Sequence, residues 1–303
     1  MYNSNQIRMK KTLGLLFLVF SLAVSAQEAG QDTVKYWNVG GTTSFTFNQV
    51  SLNNWSAGGK NSLAGTALLK SFFNYRKEKI SWANTFDIGY GLTKQGTDNP
   101  IKTEDKLQLS STFGYAAGKH WFYSAMLDFK TQMDKGYKDP PANEMLISEF
   151  MAPAYLTLSL GMDYKPSDNF SFYISPITSK TTFVLNDTLS NRGDYGVKPG
   201  DNTREEYGAY AKMIAKKAGL VKNVDFFTRL ELFSSLTEKP ENVDIDWEVA
   251  FNMKINDLLT AIVSFNMIYD DDIKYVNDAG EKEGPRVQLK QLFGFGLSYK
   301  FNN

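Results

Sequence analysis

The sequence predicts an all-β chain: a single closed antiparallel transmembrane β-barrel, most simply of twelve strands, with short periplasmic turns and longer extracellular loops. Three observations carry this. From Val287 almost to the C-terminus, apolar side chains alternate with polar or small ones. Eleven earlier segments repeat the alternation, and the connections between segments are short and long by turns. Beyond the N-terminal region, no uninterrupted apolar run is long enough for a membrane-crossing helix, which needs ~20 residues.

The terminal segment is the clearest. Val287, Leu289, Phe293, Phe295, Leu297, Tyr299 and Phe301 point one way, and Gln288, Lys290, Gly294, Gly296, Ser298 and Lys300 the other. A side-chain period of two marks a two-faced strand. Its length exceeds the ~3–10 residues of an ordinary globular strand and suits a tilted crossing of a bilayer.

The N-terminus reads as an export signal over residues 1–26. Met9, Lys10 and Lys11 form a basic start, with Met9 a plausible initiation site, Leu13 to Val24 a short apolar stretch, and Val24-Ser25-Ala26 a small-residue cleavage site. A short periplasmic segment, 27–35, and a barrel, 36–303, follow. Cleavage would remove Arg8, Lys10 and Lys11 and no acid, so 33 basic against 33 acidic residues become 30 against 33. The slightly acidic remainder argues against nucleic acid as a partner. The chain has no Cys, which excludes disulfides and thiolate metal sites.

Twelve strands are expected near 36–49, 62–76, 80–93, 105–117, 120–133, 152–165, 169–184, 204–218, 223–236, 243–255, 258–273 and 287–302. The connections at 77–79, 118–119, 166–168, 219–222 and 256–257 are tight. Those at 50–61, 94–104, 134–151, 185–203 and 274–286 are long, and 237–242 is intermediate. Outer-membrane barrels show this asymmetry, and an even strand number puts both termini on the periplasmic rim. Trp82, Tyr115, Trp121, Tyr164, Phe170 and Tyr299 then fall beside tight turns, and Tyr90, Trp247 and Tyr269 toward the long loops, where aromatic girdles belong. Outward faces are apolar at Ile245 to Ile255, Leu259 to Met267 and Ala154 to Met162, and weakest over 204–218. Pro176 cannot donate to a ladder, so a bulge or rim position is expected there.

The opposite faces should line the lumen. They carry Lys70, Asp87, Lys106, Asp128, Lys130, Lys212, Arg229, Glu231, Asp246, Glu248, Lys254 and Lys290, with Asp163, Glu206 and Lys216 alongside. Unpaired charge in a narrow barrel is costly, so these groups should pair across strands or meet water. Two functions follow. A passive narrow channel for small polar solutes is preferred, because twelve strands enclose more space than the eight that side chains can fill. The alternative is a lumen-closed barrel acting as a scaffold or surface-interaction module.

An enzyme is not expected. The single His, His120, lies at a tight turn, where a solvated boundary role is the ordinary one, and a base must meet its nucleophile geometrically. Gly58-Gly59-Lys60-Asn61-Ser62 fails as a phosphate loop, because Asn54 stands where the first Gly belongs and Asn61 replaces the hydroxyl residue. Asp270-Asp271-Asp272, with Asp278, Glu281 and Glu283, matches no calcium-loop spacing and reads first as a solvated acidic loop. A cation bridging this rim to lipid headgroups is the sharper reading. No cofactor is implied.

The stretches at 54–62, 102–107, 131–137, 152–166, 175–184, 206–210, 222–234, 245–256 and 269–273 together resemble a family of exported Bacteroidota proteins known as a domain of unknown function. The ending, Gly296 with Tyr299 and Phe301, resembles the C-terminal assembly signal of outer-membrane barrels, with Asn302 and Asn303 beyond it. The resemblance implies a barrel in the bacterial outer membrane, with membrane lipid and the barrel-assembly machinery as partners. It implies no catalytic or binding residues, and leaves the oligomeric state open.

Overall fold

A computed structural model describes residues 36–302, apart from 54, 55, 58, 139, 143, 144 and 278–281. The export signal expected over 1–26 and the segment 27–35 lie outside the described residues, as do Asn54, Gly58, Asp278, Glu281 and Asn303.

Twelve long strands form the wall: β1 (Trp37–Val50), β2 (Ser62–Lys77), β3 (Ile80–Gln95), β4 (Ile101–Ala116), β5 (Trp121–Thr131), β6 (Ala154–Ser167), β7 (Phe170–Phe183), β8 (Thr203–Val221), β9 (Val224–Ser235), β10 (Asp244–Lys254), β11 (Leu259–Tyr269) and β12 (Gln288–Asn302). Each pairs antiparallel with the next in sequence, and β12 returns to β1 to close the barrel. Closure leaves the wall no free edge, so its backbone groups bond to one another without water. The weakly patterned segment over 204–218 is a full wall strand, β8. The connection expected over 94–104 is shorter than its composition suggested, because β4 begins at Ile101.

The side chains that interrupt the apolar outer faces satisfy each other. Trp82 Nε1 donates to Ser111 Oγ (2.9 Å), which donates to Asn84 Oδ1 (2.7 Å), and Asn84 Nδ2 donates to the Phe73 carbonyl (2.9 Å). Trp247 Nε1 likewise donates to Thr228 Oγ1 (3.0 Å), which donates to the Glu248 carbonyl (3.0 Å). Each of these polar side chains thus has its partner within the protein, as a group lacking water as a partner requires.

Pro176 sits in a bulge. The β6–β7 register shifts between Leu160 and Met162, and the β7–β8 register between Gly208 and Tyr210. Ser175 Oγ fills the irregularity, lying 2.7 Å from the Leu160 carbonyl and accepting from Thr178 Oγ1 (3.0 Å).

The closing seam is the shortest in the wall. It runs from Gly40 opposite Asn302 to Thr46 opposite Gly296, whereas β1 pairs with β2 along its whole length. Gly296 is required there by close approach: a Cβ would lie 2.1 Å from the Phe45 carbonyl oxygen. Tyr299 and Phe301 point outward with stacked rings, centroids 6.5 Å apart.

The outer loops are organised. Residues 184–202 carry a short helix, α1 (Asp187–Asn191), capped by Asn186 Oδ1 accepting from the Leu189 amide (3.2 Å). Leu189, Val184 and Val197 pack on Ala152 from the 132–153 connection, with Leu146 and Tyr195 against them. Asn186 Nδ2 to Glu149 (2.7 Å) and Arg192 to the Leu146 carbonyl (2.7 Å) tie the two loops together.

Candidate lumen site

Alternation along each strand turns one residue in two inward. Of the twelve charged residues expected in the lumen, the fold brings eleven into one set of ion pairs. Six cations (Lys70, Lys106, Lys130, Lys212, Arg229 and Lys290) meet six carboxylates (Asp87, Glu104, Asp128, Glu231, Asp246 and Glu248). Equal numbers make this paired set formally neutral.

The pairs span the barrel. Lys70 on β2 reaches Glu248 on β10 (2.6 Å) past three intervening strands. Lys106 on β4 lies 3.7 Å from Glu248, on the diametrically opposite strand. Lys130 on β5 bonds Glu231 on β9 (2.7 Å) and Asp246 on β10 (2.8 Å). Lys290 on β12 bonds Glu104 on β4 (2.8 Å). Arg229 divides its guanidinium among Glu248 (3.0 Å), Glu231 (3.3 Å) and the Gln108 amide oxygen (3.0 Å). Gln108 in turn donates to Asp128 (3.2 Å), which accepts also from Lys212 (3.4 Å). Asp128, Lys212, Arg229, Glu231 and Glu248 are buried. At such depth a lost partner costs more than the pair itself contributes.

Lys254 stands apart. It ends its strand at a tight turn, where its side chain is exposed and bonds Asp257 of that turn (2.7 Å). Its parity is inward, but at a strand end parity no longer puts a side chain inside. Asp163 pairs with Lys165 (2.8 Å) nearer the rim of tight turns. Glu206 belongs to an outer layer in which Lys180 bonds Asp244 (2.6 Å), with Asp270 at 3.5 Å and Glu206 at 3.9 Å.

Several lumen residues were not anticipated. Glu104 lies one residue before the strand that alternation predicts at 105–117, whereas β4 begins at Ile101. Gln108 carries no charge to draw attention, though its inward parity was legible. A buried apolar cluster of Met126, Tyr173, Tyr210 and Phe233 also fills part of the interior, where only polar residues were expected. Tyr173 OH meets Ser159 Oγ (2.8 Å), so the ring packs while its hydroxyl is bonded.

At the outer mouth a cavity of about 380 Å³ is lined by Arg204, Glu206, Asp244, Asp271, Asp272 and Lys239, among others. The acidic rim is taken up by cations. Asp270 faces Lys180, Asp271 bonds Lys239 (3.2 Å), and Asp272 pairs with Arg204, which also bonds Glu238 (2.7 Å). Among the described residues no group of three or more acidic or His side chains is arranged to hold a metal. His120 lies in its turn edge-on to Tyr164, centroids 6.1 Å apart. Lys60 is tied to Asp98 (3.1 Å) in the outer loops.

Comparison with known proteins adds a family likeness and no activity. A family described as "Protein of unknown function (DUF3078)" matches residues 47–137. No curated protein matches. Among solved structures, the translocator domain of the autotransporter NalP from Neisseria meningitidis shares 9% identity, covering 99% of both chains at a TM-score of 0.35. An outer membrane channel from Pseudomonas putida F1 shares 8%, covering 91% of this chain and 100% of that one at 0.39. The NanC porin shares 9%, covering 86% and 100% at 0.38. The closed twelve-stranded barrel rests on this chain's own ladder of strand pairs.

Proposed function

We propose that this protein is a barrel of the bacterial outer membrane and a narrow passive channel for small polar solutes. The membrane reading is supported by the outer surface. Large apolar side chains such as Phe113, Leu160, Ile177, Phe265, Phe293 and Leu297 stand exposed around the wall. A soluble protein would not leave so much apolar surface in contact with water. The resemblance to exported Bacteroidota barrels and the export signal belong to the same reading. No activity on a substrate is proposed.

One observation carries the channel. Lys70 is mid-strand and faces inward, and it bonds a carboxylate across three intervening strands, yet its side chain is 44% exposed. Water-accessible space therefore reaches the middle depth of the barrel on that side. The buried pairs around Arg229 and the Met126 cluster favour a second reading, a barrel sealed by its own side chains. Planar-bilayer recording separates them. Stepwise conductance of the purified protein in salt supports the channel, and a silent, correctly folded protein supports the sealed barrel.

A further inference from the structure

The ion pairs of the lumen share an orientation. In the Lys70–Glu248 pair the side chains are 44% and 6% exposed, and in the Lys290–Glu104 pair 47% and 7%. The Lys106–Glu248 pair repeats the order at 30% and 6%. In each, the carboxylate is buried and the lysine side chain borders the accessible space. The Lys130–Asp246 contact is even-handed, at 25% and 27%, and the outer layer reverses the order, with Lys180–Asp244 at 11% and 19% and Arg204–Asp272 at 14% and 26%. The pairs Lys212–Asp128 and Arg229–Glu248 are buried at both ends and present neither sign to water. Lys216, on the inward parity of β8, is exposed as well.

The paired groups, six cations and six carboxylates, carry no net charge that could decide selectivity. Distance decides it. An ion in the accessible space meets the lysine side chain before the buried carboxylate in the Lys70, Lys106 and Lys290 pairs, and Coulomb energy falls with distance and rises as the local dielectric falls. Low-dielectric walls focus that difference along a narrow path. Rings of basic side chains are how pores select anions.

Resting on the channel reading, we propose that the solutes are small anions, inorganic or bearing a carboxylate or phosphate, and that Lys70, Lys106 and Lys290 select them. The outer mouth opposes this with Asp244, Asp270, Asp271 and Asp272. Those groups are engaged by Lys180, Lys239 and Arg204. Asp244, Asp271 and Asp272 also line the outer cavity of about 380 Å³, and in water salt screens charge beyond ~8 Å under physiological conditions. The narrow stretch below governs the sign.

The test is the reversal potential of the full mature protein in a planar bilayer under a potassium chloride gradient. Chloride should be favoured over potassium by about threefold or more, in line with basic pore rings. Lys70→Gln combined with Lys290→Gln should bring the ratio at least halfway to unity while conductance steps persist. Lys254→Gln, at the rim, should leave it unchanged. A ratio at or below unity in the wild type would overturn the inference, and so would a conducting double variant with the wild-type ratio. Should the double variant fail to assemble, the wild-type sign decides alone. Absence of steps from folded wild type removes the channel reading itself, and this inference with it.

Discussion

Lys106 and Glu248 stand on strands at opposite sides of the barrel, with five strands between them in either direction, yet their charged atoms are 3.7 Å apart. The wall is thus braced across its diameter by side chains, not only around its circumference by backbone bonds. Removing one member of this brace should therefore be felt globally.

Arg229 is the member whose loss should cost most. It holds Glu248, Glu231 and Gln108 at once and is buried. Arg229→Met should destabilise the barrel by about 3–5 kcal/mol, since carboxylates are left under-compensated. The double change Arg229→Met with Glu248→Gln should recover part of that loss, because the charges are removed together. Urea unfolding in detergent, followed by tryptophan fluorescence, measures both.

At the seam, Gly296→Val should block closure, since its Cβ would meet the Phe45 carbonyl at 2.1 Å. Gly65→Ala is the matched control, because the nearest atom to its Cβ lies at an ordinary 3.8 Å. Heat-modifiable gel mobility of membrane fractions should show loss of the folded band for the first and wild-type levels for the second.

On the outer face, Leu160 sits mid-strand and is exposed. Leu160→Arg should cost about 2–4 kcal/mol in a bilayer, the range for a basic side chain at the membrane midplane of a barrel. The same change in a water-soluble sheet would cost little. Equal stability of the two proteins in lipid vesicles would argue that this face does not meet hydrocarbon.

The acidic rim should respond to pH and not to chelation. Burial works to raise the Asp271 carboxyl, but bonds from Lys239 and Lys274 outweigh it and hold it below its ordinary value of 3.8. A depressed folded-state pKa contributes stability above the unfolded value and loses it as pH falls through the folded one. Asp271→Asn should remove that acid-limb dependence from the melting temperature, an effect of about 0.2–1 kcal/mol for an ion pair with an exposed partner. A chelator should leave the melting curve unmoved, because the rim carboxylates already have cationic side chains.

What the sequence determined by itself was everything that depends on alternation. Period two over twelve segments dictated the strands, the inward and outward faces, and the tight and roomy rims, because side chains on neighbouring positions must point to opposite sides of a sheet. It placed Lys70, Arg229 and Glu248 on the inner face with no knowledge of their partners. Tertiary structure alone decided which charge meets which, because partners lie up to 186 residues apart and meet only after closure sets the stagger of each strand. It also decided that Lys254 stays at the rim, that Tyr210 and Phe233 fill the lumen, and that Gly296 must be a glycine at the seam. Those outcomes follow from distances across a closed cylinder, and a linear pattern carries no such distance.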